Sequence, residues 1–158
     1  MNRLSGKGSV IAAGECPRSK TKKGILMDFN CFNFHSDITA GITACSFSTP
    51  TPIQAKAIPL ILEHRDLFGL AQTGTGKTAA FMLPILQKLL TGPRKKSRAL
   101  ILAPTRELAE QIHDAAVKMA WKTSLKSVVI YGGVSKSSQI RAIRQGAEII
   151  VACPGRLL

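Results

Sequence analysis

The chain has 158 residues and a mass of 16.9 kDa, which at roughly 150 residues per domain gives one domain and excludes a two-domain enzyme within these residues. A hydrophobic content of 45% and a mean hydropathy of +0.12 exclude wholesale disorder, and one globular unit of this size buries about two-thirds of its unfolded surface. Subtracting 9 acidic from 22 basic residues leaves a net charge of +13, which favours a polyanionic partner, nucleic acid or a phosphorylated ligand, without choosing between them.

In chain order, residues 1–28 come first, with Arg3, Lys7, Arg18, Lys20, Lys22 and Lys23 set against Glu15 and Asp28 and no clear periodicity. This stretch reads as a flexible basic tail, either solvated or touching phosphates. Cys16, Cys31, Cys45 and Cys153 include no CxxC pair and no zinc-knuckle spacing, so reduced intracellular thiols are expected. No apolar run approaches the roughly 18 residues that span a bilayer, and a soluble cytoplasmic protein with no membrane partner is the expectation.

From Pro52 onward, strand and helix patterns alternate. Pro52 to Glu63 reads as a helix with proline in its first turn and Ile53, Ala57 and Ile61 on one side. A short strand is expected over Asp66 to Ala71, then a glycine-rich loop and a helix from Lys77 to Leu90 that Pro84 should kink. Arg98 to Ala103 is a continuous apolar run, expected of a strand buried on both faces of a parallel sheet. Thr105 is the candidate N-cap of the next helix, with Leu108, Ile112, Ala115, Ala116 and Met119 as its buried stripe. Ser127 to Tyr131 predicts a strand, Ser135 to Gln145 a basic helix, Glu148 to Ala152 another strand, and Pro154 the start of a further helix. The fold class is therefore α/β, a parallel sheet with helices on both faces.

The sharpest local signal is Ala71-Gln72-Thr73-Gly74-Thr75-Gly76-Lys77-Thr78, because it follows a predicted strand and opens a predicted helix. Gly74 and Gly76 would turn backbone N–H groups toward a phosphate, where a Cβ would block both the dihedrals and the approach. Lys77 would set its ammonium between the β- and γ-phosphates, and Thr78 would offer its hydroxyl to Mg²⁺. The helix N-terminus adds the equivalent of about +0.5 charge facing the anion. Ala71 stands where the general pattern has glycine.

Upstream, Ser46-Phe47-Ser48-Thr49-Pro50-Thr51-Pro52-Ile53-Gln54, with Phe29 seventeen residues before Ser46, resembles the Q motif of DEAD-box RNA helicases. Pro104-Thr105-Arg106-Glu107-Leu108-Ala109 resembles motif Ia, Gly132-Gly133 the GG motif, and Cys153-Pro154-Gly155-Arg156 motif Ib. The resemblance covers residues 29–158 and implies the first RecA-like domain of an ATP-dependent RNA helicase, ending before motif II. It implies that Gln54 binds adenine and Phe29 stacks on the base, with Thr51 and the loop residues Gln72, Thr73, Gly74, Thr75, Gly76, Lys77 and Thr78 completing the ATP and Mg²⁺ site. A carboxamide matches adenine's donor and acceptor and mismatches guanine, which favours ATP over GTP. Thr105, Arg106, Gly132, Gly133, Gly155 and Arg156 would grip an RNA backbone at strand ends, with little sequence preference.

Three departures accompany the resemblance. Ser46 replaces a glycine and should strain a positive-φ turn, and Cys153 replaces a threonine and its hydroxyl. No Asp-Glu-Ala-Asp and no Ser-Ala-Thr occur in the 158 residues. The expectation is therefore binding without hydrolysis, in the N-terminal piece of a helicase or, alternatively, in a free-standing module that captures ATP and RNA without turnover.

Overall fold

The computed structural model describes residues 9–10 and 28–157. The basic tail expected over 1–28 falls outside these apart from Ser9, Val10 and Asp28. Ser9–Val10 forms β1, paired in parallel with β2 (Leu67–Phe68), and Asp28 caps a 3-10 turn over Phe29–Phe32. There follow α1 (Ser36–Ala44), α2 (Pro52–Leu62), α3 (Lys77–Leu89), β3 (Ala99–Leu102), α4 (Arg106–Met119), β4 (Ser127–Ile130), α5 (Lys136–Arg144), β5 (Ile149–Ala152) and the short α6 (Pro154–Leu157).

β3, β5 and β4 form a parallel sheet in that order, with Ala99, Ile149 and Ser127 level at one end and Leu102, Ala152 and Ile130 at the other. The chain skips from β3 to the far strand β4 and then returns to β5. Right-handed crossovers with opposite travel set α4 and α5 on opposite faces of the sheet. One face carries Ile101, Ile149, Val151 and Val129 into the main core with Ile112, Ala116 and Met119 of α4 and Met82, Leu83 and Leu86 of α3. α1 crosses the end of α4 so closely that a Cβ on Gly41 would lie 1.9 Å from the Met119 carbonyl oxygen.

The other face is covered unevenly. α5 packs on β4, where Val128 and Ile130 are buried, but Leu100 and Leu102 of β3 remain 56% and 58% exposed. The expectation that 98–103 is buried on both faces is corrected here, because among the described residues no helix lies over the outer side of β3. The strand expected at 66–71 shrinks to two residues and does not join the main sheet. A groove of about 560 Å³ lined by Leu67, Phe81, Leu108 and Ile112 runs beside it. Leu108 is exposed at this groove, and Ala109 takes the buried position that the periodicity assigned to Leu108. α3 continues as one helix through Pro84, which is fully buried, and α2 likewise through Pro59. No described helix is long and apolar enough to cross a membrane.

Two polar features tie loops to this frame. Glu148, 1% exposed at the head of β5, accepts from Arg94 Nε at 3.0 Å, Lys95 N at 3.1 Å and Lys126 N at 3.0 Å. Burial raises its pKa, but the N–H groups of Lys126 and Lys95 and the Arg94 guanidinium more than reverse this, holding the carboxyl below its ordinary 4.5. The exposed loop at Arg94 and Lys95 is thus tied to the head of β5. Ser46 adopts φ 59° after α1, with its N–H on Thr43 O and the Phe47 N–H on Ile42 O, the left-handed closure that glycine favours.

A group whose folded pKa is depressed stabilises the fold above its unfolded pKa, and that contribution is lost as pH falls through the folded value. Glu148→Gln should lower the unfolding free energy by about 1–3 kcal/mol at pH 7, with the gap from wild type closing below about pH 4 in urea titrations. A constant gap across that range would show that the charge is not what holds the loops. Ser46→Gly should raise the thermal midpoint by about 2–4 °C by relieving a left-handed residue that carries a Cβ, whereas an unchanged or lower midpoint would remove strain as the account of this turn.

Candidate nucleotide and nucleic-acid site

The 71–78 loop leaves β2 and enters α3 through two left-handed glycines, Gly74 at φ 79° and Gly76 at φ 84°. They are required for different reasons. A side chain at Gly74 would meet no atom within 4 Å, so its backbone conformation alone demands glycine. At Gly76 a Cβ would also fall 2.5 Å from Gln54 Nε2 and 3.4 Å from Thr51 Oγ1.

That close approach is built by the start of α2. Thr51 Oγ1 donates to Thr75 O at 2.8 Å, and Gln54 Nε2 donates to Gly76 O at 3.2 Å. Gln54 Oε1 in turn accepts from the Thr51 N–H at 2.9 Å, so one 2%-exposed carboxamide caps α2 and braces the loop together. Thr75 Oγ1 closes the loop internally on Gln72 O at 2.8 Å, while Gln72, Thr73 and Gly74 stay exposed. Lys77 Nζ donates to Ala71 O at 2.6 Å and Gln72 O at 2.5 Å, so its ammonium has carbonyls but no anion as partners. Lys77 and Thr78 both line the groove beside β2.

The structure thus brings Thr51, Gln54 and the whole loop together, and it places Phe29 further into the protein. Phe29 is 6% exposed, edge-on to Phe32 at 6.1 Å and stacked on Phe47 at 6.3 Å. In this geometry Gln54 and Phe29 both spend their polar or aromatic faces on the protein itself.

A second cluster sits where the parallel strands end. Thr105, after β3, caps α4 by accepting from the Leu108 N–H at 3.2 Å. Arg106 reaches across to the turn after β4, where a Cβ at Gly133 (φ 89°) would lie 2.8 Å from its Nη1, and one at Gly132 3.9 Å from its Nη2. Arg156, after β5, donates through both terminal nitrogens to Val134 O at 3.4 and 3.3 Å. Gly155 is exposed with nothing near its Cβ position. Three segments distant in sequence thereby meet on one short turn, and neither arginine forms an ion pair with any described residue.

Sequence reasoning missed the residues that support this cluster. Tyr131, the one tyrosine of the chain, sits under the Arg106 guanidinium at 5.8 Å and donates its hydroxyl to Glu110 Oε1 at 2.5 Å. Buried Gln139 donates to Tyr131 O at 3.1 Å. The position of Tyr131, next to Gly132-Gly133, was the available signal. The described residues contain no group of His, Cys, Asp and Glu that could hold a metal ion by itself.

A parallel sheet with a glycine-bearing loop at a helix start, and basic side chains gathered at the strand ends, defines a RecA-like α/β domain. The chain belongs to the DEAD/DEAH box helicase family, whose model matches residues 51–158. It is 45% identical over 148 residues to the ATP-dependent RNA helicase DRS1 of Pyricularia oryzae, covering 92% of this chain and 19% of that protein. It is 45% identical over 138 residues to the ATP-dependent RNA helicase RhlB of Xanthomonas campestris, covering 84% of this chain and 24% of that one. Among solved structures it matches a DEAD box protein from Methanococcus jannaschii with a TM-score of 0.77 and 40% identity, over 84% of this chain and 36% of that one. Prp28 from Chaetomium thermophilum bound to ADP matches with a TM-score of 0.75 and 45% identity, over 82% and 33%. The chain spans about a fifth of the length of the DRS1 relatives and about a quarter of the RhlB ones.

The two glycines separate by mechanism. Gly76→Ala should lower the thermal midpoint by about 4–8 °C, through strain plus collision with Gln54, and Gly74→Ala by roughly half as much, through strain alone. Equal midpoints for the two variants in calorimetry would remove Gln54 as the reason for glycine at 76.

Proposed function

We propose that these residues bind ATP at the 71–78 loop and an RNA backbone at the strand ends, as the first RecA-like part of an ATP-dependent RNA helicase. The observation that carries the reading is Lys77. Its ammonium stands at a helix start among backbone carbonyls, beside a left-handed Gly74 with open space above it, so an anion entering there gains a charge it need not take from another acid. The site fits a triphosphate with Mg²⁺: Gly74, Thr75 and Gly76 present backbone, Lys77 supplies the cation, and Thr78 supplies a hydroxyl to the metal. Gln72 and Thr73 form the exposed lip of the loop.

For the base, the Gln54 carboxamide, here 2% exposed and bonded to the Thr51 N–H and Gly76 O, carries a donor and an acceptor that match adenine and mismatch guanine once it turns outward. Phe29 is 6% exposed and packed on Phe47, so for it to stack on a base the Phe29–Phe47 contact must open. A base arriving there would compete with, and so report on, the same carboxamide that holds Gly76. The ADP named for Prp28 is consistent with such a site in the family.

For RNA, Arg106 and Arg156 offer planar forks of donors without acidic partners, and the turn at Gly132 and Gly133 permits close backbone approach. Thr105 and Gly155 lie on the same rim. Contacts of this kind hold phosphates and leave bases unread. Phosphoryl transfer depends on positioned carboxylates and metal, and an arginine finger alone is worth about 10³–10⁵ in rate. The 158 residues hold no Asp-Glu-Ala-Asp, so we assign binding rather than hydrolysis to them and local duplex unwinding to a longer protein.

Titration with a fluorescent ATP analogue and Mg²⁺ tests the nucleotide half. Lys77→Ala should weaken binding by about 30-fold or more, the effect of removing a charge-assisted contact to phosphate, and wild type should prefer adenosine to guanosine nucleotides. Unchanged affinity in the variant would overturn the site.

A further inference from the structure

Arg106 and Glu110 lie one turn apart on α4, the spacing at which opposite charges ordinarily pair along a helix. They do not pair here. Tyr131 stands between them, with its ring face 5.8 Å below the Arg106 guanidinium and its hydroxyl donating to Glu110 Oε1 at 2.5 Å. The tyrosine is itself held, since its carbonyl accepts from the buried Gln139 carboxamide at 3.1 Å. The guanidinium also lies against Gly133, where a Cβ would stand 2.8 and 2.9 Å from its terminal nitrogens.

The chemistry of the two contacts differs in a way that matters for phosphate. A carboxylate would engage the in-plane N–H donors of Arg106 and cancel its charge. An aromatic face holds the cation from beneath and leaves those donors and the charge available. The same phenol occupies the carboxylate that would otherwise compete. The Glu110 hydrogen bond also pushes the Tyr131 pKa up, so the phenol remains a donor across the neutral range.

Resting on the reading of Arg106 as an RNA contact, we infer that Tyr131 is a positioning residue that keeps Glu110 off Arg106 and so holds this arginine open for a phosphodiester of single-stranded RNA. The role belongs to the pair of contacts, not to the bulk of the ring. Removing only the hydroxyl leaves the ring under the guanidinium but frees Glu110 to close on Arg106.

The test is a double-mutant cycle read by binding of a fluorescent oligouridylate to the 158-residue chain over a range of salt concentrations. Tyr131→Phe should weaken binding by about 3- to 10-fold when Glu110 is present, and by less than about 2-fold in the Glu110→Gln background. The slope of log affinity against log salt should become shallower by about 0.7 in Tyr131→Phe, the signature of one lost phosphate contact, and recover in the double variant. Arg106→Ala should reproduce the shallower slope in both backgrounds. Equal losses for Tyr131→Phe in the two backgrounds would mean that the hydroxyl serves packing alone and would overturn the inference. So would an unaffected Tyr131→Phe beside a weakened Arg106→Ala, an outcome that leaves the RNA reading standing. If Arg106→Ala itself binds as wild type, the RNA reading fails first and the inference falls with it.

Discussion

The contact on which this structure turns is the approach of the Gln54 carboxamide to the backbone at Gly76. A hydrogen bond of ordinary strength, from Gln54 Nε2 to Gly76 O, is possible only because residue 76 has no side chain to fill the space. Through that bond and its neighbour from Thr51 to Thr75 O, the N-terminus of α2 and the N-terminus of α3 are locked to a common loop. Buried carboxamides are costly unless both ends are satisfied, and this one is, by the Thr51 N–H on one side and the loop carbonyl on the other. The junction of the loop with the first turn of α3 follows from it.

The strand-end cluster obeys a related economy. Parallel strands deliver their C-terminal ends to one edge of a sheet, so the residues after β3, β4 and β5 become neighbours although some 50 residues separate Arg106 from Arg156 in sequence. The turn at 132–134 is the meeting point because its glycines admit Arg106 from one side, and its last carbonyl accepts Arg156 from another. Both arginines are held by neutral groups, a ring and a carbonyl oxygen, so no described acid neutralises their charge.

Much of this was legible before any coordinates. Thr105 caps α4, Gly74 and Gly76 take left-handed conformations, Ser46 adopts the positive φ expected of the glycine it replaces, and the α/β order is the one the apolar pattern announces. These are local properties, set by side-chain reach and backbone dihedrals within a few residues. Local pattern is silent on which faces are covered. Leu100 and Leu102 belong to a run as apolar as any in the chain, but their burial depends on whether another element covers β3. Glu148 reads as the first residue of an apolar strand and is instead the buried anchor of two loops just ahead of it.

The amino-acid sequence by itself determined the class of the domain, the order of its elements and which glycine-bearing loop opens a helix, because glycine placement, capping chemistry and hydrophobic period act over short range. Tertiary structure alone decided what each polar side chain touches. It turned Gln54 onto the loop, drew Phe29 among Phe32 and Phe47, and set Tyr131 between Arg106 and Glu110, since such contacts arise only when strands and helices far apart in the chain are packed to van der Waals distance.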